Sequence, residues 1–283
     1  NTVQFVFMYL GFGALLFFII LNFGSIPEMS NFLPETYLDF KGEYSYQYVF
    51  AWFIIAFQTF VDPSFHQRCA AAKTPETAQK GIYISVLFWL IFDFFTLTTG
   101  LYAKAFISIE NPMMTFPILG ENVLPIFWKG IFVVAMISAV MSTLDSYAFI
   151  SAITIGNDLL GSSKKFLAKF KNLNTQNLTK LGLILTGIIG VIMALSLPSV
   201  VQLIYNTSSI AVPGLIFPLV LSMNNKFRLE SKNAIKIMIL SSSTSLIWLI
   251  LKSEKIAFFV ELEPMFAGII IAFALTLIWI RKR

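Results

Sequence analysis

Ala139, Ser142 and Thr143 stand at i, i+3 and i+4 within an apolar run, which places them on one face if that run is helical. Two hydroxyls beside a main-chain carbonyl are neutral oxygen donors. Such a set suits a monovalent cation that must bind and leave on every cycle, Na⁺ foremost. The same spacing serves helix–helix packing, where small and hydroxyl residues are common. Two lone carboxylates, Asp93 in Phe92-Asp93-Phe94-Phe95 and Asp145 in Ser142-Thr143-Leu144-Asp145-Ser146, also interrupt apolar sequence. A carboxylate at the centre of a membrane costs about 2.5–3.5 kcal/mol, so each is either a solute or proton site or the partner of a buried donor on another helix.

Two further segments combine ligand-type side chains with proline. Gln58-Thr59 leads into Asp62-Pro63, and Tyr205-Asn206-Thr207-Ser208-Ser209 leads into Pro213-Gly214 and Pro218. Proline removes a backbone donor and pushes the preceding residue out of the helical region. The carbonyls freed in this way, with Thr59, Asp62, Tyr205 and Ser208, would form a polar solute site where helices break. Pro63 and Pro213 are therefore expected to mark interruptions or kinks on a common cavity, with Asp93 a further candidate solute contact. Kinks that hold no ligand are the alternative. Other chemistries lack their residues: His66 is the single histidine and Cys69 the single cysteine, so no histidine-based metal centre, histidine-dependent triad or disulfide is expected. No phosphate-binding loop is present, and neither an enzyme nor an organic cofactor is expected.

These residues need elements to carry them. The 283 residues are 57% hydrophobic and 12% charged, with 30 phenylalanines and a mean hydropathy of +0.78. A soluble domain has about twice that share of charge. Too little polar surface remains to wet a globule, and an all-α polytopic membrane protein is the class left. Eight apolar segments approach or exceed the roughly 20 residues that cross hydrocarbon: Val3–Gly24, Tyr44–Val61, Gly81–Ile107, Pro125–Leu160, Leu181–Leu197, Val200–Met223, Ala234–Leu251 and Met265–Ile280. No two-residue alternation supports a membrane barrel.

Most of the 20 Lys and Arg residues fall in alternate loops: Arg68, Lys73 and Lys80; Lys164 to Lys180; Lys226 to Lys236; and Arg281, Lys282 and Arg283. By the positive-inside rule those loops and both ends of the chain are cytoplasmic. Residues 161–180 read as a cytoplasmic basic loop within a single transmembrane domain spanning 1–283. The net charge of +5 is this bias, not a nucleic-acid patch. Gly187 and Gly190, at i and i+3, are expected to pack closely against a neighbouring helix. A first residue Asn1 in the opening turn of a membrane helix suggests a chain cut at its N-terminus.

The block Ala139-Val140-Met141-Ser142-Thr143-Leu144-Asp145-Ser146, followed by Ser151-Ala152-Ile153-Thr154 and Asn157-Asp158-Leu159, resembles the sodium:solute symporter family, at that family's eighth core helix. Pro63 and Arg68 keep the family's interval between a proline and an arginine closing its sixth core helix, and Val212-Pro213-Gly214 is similar to its tenth. The resemblance implies a LeuT-like inverted-repeat fold, incomplete here, starting at about core helix five. It implies Na⁺-coupled symport of a small organic solute across the cell membrane. Na⁺ would be held by the Ala139 carbonyl and the Ser142 and Thr143 hydroxyls, and completed by the missing N-terminal helices of the same transporter. A proton-coupled transporter of the same fold, with Asp93 or Asp145 as carrier, and a transporter-like membrane sensor of a signalling protein are the rival readings.

Overall fold

The computed structural model describes residues 2–107, 111–162, 174–196, 199–224 and 226–282. Its helices, in chain order, are α1 (Thr2–Phe23), α2 (Tyr46–Ile55), α3 (Gln58–Val61), α4 (Pro63–Ala70), α5 (Pro75–Phe106), α6 (Ile126–Ile153), α7 (Thr175–Ser196), α8 (Val200–Ser222), α9 (Ser231–Ser253) and α10 (Pro264–Trp279), with shorter turns between them. The protein is an all-α polytopic membrane protein. Among the described residues six helices are long and apolar enough to cross a membrane, and α2–α3 with α4, bent by 40°, make a seventh if the bent pair is counted as one span. The eighth expected span, α10, has 16 helical residues. At 1.5 Å per residue that is roughly 24 Å, short of the hydrocarbon thickness.

Local chemistry sets the helix boundaries. Thr74 accepts a hydrogen bond from the Thr77 N–H at 3.2 Å, and Pro75 follows at the first helical position, where its missing N–H costs nothing. The helix therefore starts six residues before Gly81 and runs for 32 residues, roughly 48 Å, so it overruns the bilayer. Ser45 and Ser199 cap α2 and α8 in the same way. Part of the expected basic loop 161–180 is helical. Thr175–Lys180 form the first turns of α7, and residues 163–173 lie outside the described residues. A two-residue antiparallel strand pair, β1 (Phe227–Arg228) with β2 (Arg281–Lys282), ties the start of α9 to the end of α10, reinforced by an Arg281–Glu230 ion pair.

The chain divides into two compact units. The first comprises Asn1–Gly42 and Gln67–Ile188, the second Glu43–His66 and Ile189–Arg283. In the first, α1 lies against α6 so closely that a Cβ on Gly11 would sit 2.3 Å from that of Ala135. Phe12, Leu15, Leu16, Ile19, Tyr102 and Phe132 fill the core beside this contact. Gly182, not Gly187 or Gly190, makes the tight crossing of α7. A Cβ there would meet the Ala152 carbonyl at 2.2 Å, whereas Gly187 and Gly190 have nothing within 4 Å. The facing partner is Gly156, in a π-helical extension of α6 over Thr154–Leu160, whose added Cβ would meet the Leu178 carbonyl at 2.1 Å.

In the second unit α8, α9 and α10 pack through small residues. Gly214 sits under Ser242, and Gly268 under Ser245 and Pro213. Helix α8 runs through Pro213 and Pro218 as one element. Ser242 donates to the Ile210 carbonyl at 3.0 Å, one turn before Pro213. Broad apolar faces remain exposed, among them the first turns of α5 from Ile82 to Ile91. Lipid is the solvent such faces require.

Candidate functional site

In the first unit the three expected cation ligands meet at one point on α6. Thr143 Oγ1 lies 3.2 Å from the Ala139 carbonyl oxygen and Ser142 Oγ 3.5 Å from it. Three oxygens are thus gathered on one helix face, with Ala139 and Ser142 half-buried and Thr143 exposed. Ser146 extends the chain, donating to the Ser142 carbonyl at 3.1 Å and accepting from Arg68 Nη2 at 3.0 Å. Hydroxyls that bond back to the preceding turn are common in helices. Here the back-bonds hold both hydroxyl oxygens beside that carbonyl, and the hydroxyls keep lone pairs that can accept a ligand. Among the described residues no group of three or more His, Cys, Asp or Glu could hold a metal ion.

Asp93 is exposed on α5, and Asp145 on α6. Phe92 and Phe95 of the same turn pack on the core of the unit, and Asp93 faces away from it.

In the second unit the proline segments differ from expectation. The second span does break. It stops at Ile55, resumes at Gln58, stops again at Val61 and turns at Asp62. Asp62 is 8% exposed and its Oδ1 accepts from the Ser64 N–H at 2.7 Å, the geometry of a residue capping the helix that Pro63 begins. Pro63 and Thr59 are exposed, while Pro213 is buried. Pro63 and Thr59 point outward where the span bends, and Pro213 is packed against Gly268. Ser208 is buried and hydrogen bonds Gln58 Oε1.

Of the expected solute contacts Tyr205 alone lines the pocket of about 610 Å³ in this unit. Tyr48, Ser199, Gln202, Asn206, Lys252 and Glu263 share that lining, while Thr59, Asp62 and Ser208 do not. The common cavity expected at the two prolines is thus displaced toward the other end of α8, because it forms where Tyr205 meets the loop between α9 and α10.

This end of the unit supplies two residues that the sequence reading did not single out, Lys252 from the last turn of α9 and Glu263 at the start of α10. Lys252 Nζ lies 2.7 Å from Glu263 Oε2, and the Tyr205 hydroxyl donates to the same oxygen at 2.7 Å. The Glu263 N–H donates to Gln47 Oε1 at 2.8 Å. Glu263 is 8% exposed, and a carboxylate that dry needs such partners. Tyr48 and Trp52 pack against the Tyr205 ring at 5.3 and 5.6 Å, fixing the hydroxyl's direction. Glu263 directly before Pro264 is a readable helix-start signal. Nothing in the spacing points it at Tyr205.

The family model described as the sodium:solute symporter family matches residues 1–241. The chain is similar to two proteins named sodium/pantothenate symporter. It is 27% identical over 209 residues to that of Haemophilus influenzae, covering 71% of this chain and 43% of the relative. It is 25% identical over 193 residues to that of Escherichia coli, covering 66% and 39%. The chain thus spans less than half the length of these relatives. No solved structure matches it. The match of the family model over most of its length, including the Ser142-Thr143 face and the Pro63 break, establishes that the chain belongs to the sodium:solute symporter family.

Proposed function

We propose that this chain is the ion-coupling part of a transporter that moves a small organic solute across the cell membrane together with Na⁺. The observation that carries the reading is the convergence of the Ser142 and Thr143 hydroxyls on the Ala139 carbonyl. Na⁺ takes about five oxygens in a site it must leave again, and neutral donors hold it without trapping it. One helix face supplies three of them. The others would come from N-terminal helices of the same transporter, since the curated relatives are more than twice as long as the stretch they share with this chain. A LeuT-like inverted repeat, with the bent second span and α8 in corresponding places, is the fold this reading carries. Tyr205, with Thr59, Asp62, Pro63, Ser208 and Asp93 as further candidates, supplies solute contacts. Pantothenate, the solute in the relatives' names, is the first to test. Arg68, bonded to Ser146, sits at the cytoplasmic end of this machinery, and both chain ends are placed on that side.

The test is Na⁺-dependent uptake by the full-length protein in proteoliposomes. Ser142→Ala and Thr143→Ala should each raise the Na⁺ concentration for half-maximal uptake about tenfold, the loss of roughly one ligand at 1.4 kcal/mol. Solute affinity at saturating Na⁺ should change less. Wild-type Na⁺ dependence in both variants would overturn the assignment.

A further inference from the structure

Lys252 and Glu263 lie beyond the stretch matched by the family model, which ends at residue 241. They nevertheless form the most enclosed ion pair among the described residues, with side chains 28% and 11% exposed. A protonated amine and a phenolic hydroxyl, from Lys252 and Tyr205, approach one carboxylate oxygen at 2.7 Å each. This is the arrangement by which proteins recognise a carboxylate ligand: a charge-assisted bond plus a neutral donor at fixed angle. Here the chain's own Glu263 occupies it. The arrangement opens on the pocket of about 610 Å³, where Gln202 and Asn206 add amide donors and acceptors and Tyr48 an aromatic wall. A cavity of that size fits a small organic molecule.

We infer that this pocket is an outer reception site for a carboxylate-bearing solute, whose carboxylate exchanges with that of Glu263 on Lys252 and Tyr205. The inference rests on the symport reading above and specifies the substrate class of that transporter. Glu263 has a second place to go. It is the residue before α10, and its side chain does not cap that helix in this structure. The positive end of α10 offers the displaced carboxylate an alternative. Exchange then conserves charge. Lys252 is never left without a counter-charge, and neither is the incoming anion. A solute without the carboxylate offers Lys252 nothing in return and does not displace Glu263. No proton or bond changes hands, so the site selects by charge and shape alone.

The experiment uses the full-length protein in detergent, with pantothenate and its uncharged alcohol, panthenol, as probes. Trp52 lies beside Tyr205, and Trp248 donates to the carbonyl of Leu262, next to Glu263. Indole fluorescence therefore reports the pocket without requiring transport. Pantothenate should shift the emission saturably and panthenol should not. Lys252→Gln should weaken pantothenate binding at least about tenfold, and Lys252→Arg should restore most of it. Glu263→Gln, which removes the competing carboxylate, should tighten binding severalfold, and it serves as the test if the Lys252→Gln protein does not fold. Equal response to panthenol, absence of any pantothenate response, or unchanged affinity in Lys252→Gln and Glu263→Gln overturns the site. Uptake measured with and without a Na⁺ gradient separates the two readings. Na⁺-driven uptake with an unaltered KM in Lys252→Gln removes the reception site and leaves the symporter. Carboxylate binding with no Na⁺-driven uptake does the reverse.

Discussion

Asp62 illustrates how one side chain can carry two readings that a single pair of substitutions separates. Its carboxylate caps α4 through the Ser64 N–H, a role that asparagine fills nearly as well because the cap needs an oxygen, not a charge. As a solute or cation contact it would need the charge. Asp62→Ala should lower the stability of the full-length protein by about 1 kcal/mol, read as a lower midpoint of thermal unfolding, whereas Asp62→Asn should stay close to wild type in both stability and uptake. Loss of uptake in Asp62→Asn with stability intact would show the carboxylate at work in transport. The Tyr205–Glu263–Lys252 group differs in kind. Tyr205 and Glu263 are buried and Lys252 is half-buried beside them, so each substitution there removes a partner from a charge as well as a contact.

At the scale of elements, the crossing of α6 and α7 depends on missing side chains. Gly156 and Gly182 face each other's backbone carbonyls at distances no Cβ tolerates, and the obstruction is main chain, which cannot swing aside. Gly156→Ala and Gly182→Ala should each cost about 1–3 kcal/mol, or force the helices apart. Gly187→Ala and Gly190→Ala, on the open side of the same helix, should be neutral or gain up to about 1 kcal/mol from helix propensity. The check is the fraction of monodisperse protein after detergent extraction and heating, compared across the four variants. Equal losses in all four would mean that Gly187 and Gly190 also bury against something. The crossing also explains where the π-helical turn falls. The wider turn at Thr154–Leu160 brings Asn157 Nδ2 within 3.1 Å of Thr179 Oγ1, a bond between the two helices just beyond the glycine contact.

At the scale of the molecule, the concentration of Lys and Arg in alternate loops makes a topological prediction. With Cys69 replaced by alanine, single cysteines at Thr77 or Lys232, both exposed, should react with a membrane-impermeant maleimide only after the cells are opened. Cysteines at Glu35 or Glu254, also exposed, should react in intact cells. The reverse pattern would invert the orientation and with it the side from which the Lys252 pocket is reached. Positive loops stay inside because translocating Lys and Arg against the membrane potential is unfavourable.

The amino-acid sequence alone determined the class of this protein, the approximate limits of most of its long helices, and the face of α6 on which Ala139, Ser142 and Thr143 meet. All three follow from local rules. Backbone polar groups in hydrocarbon must bond within their own helix, so an apolar run of sufficient length becomes one, and residues three and four apart then share a face. The cap at Thr74-Pro75 that starts α5 six residues before Gly81 was not among the features read from the sequence. Tertiary structure decided what no period encodes. It placed Tyr205 on Glu263, 58 residues away, and Gln47 on the same residue, 216 residues away. It left Pro213 inside an unbroken helix, selected Gly182 over Gly187 and Gly190, and turned Asp93 outward. A side chain's partner on another helix depends on the rotation and depth of both helices. Those are set by the sum of many small packing contacts across the unit, and no short window of sequence contains that sum.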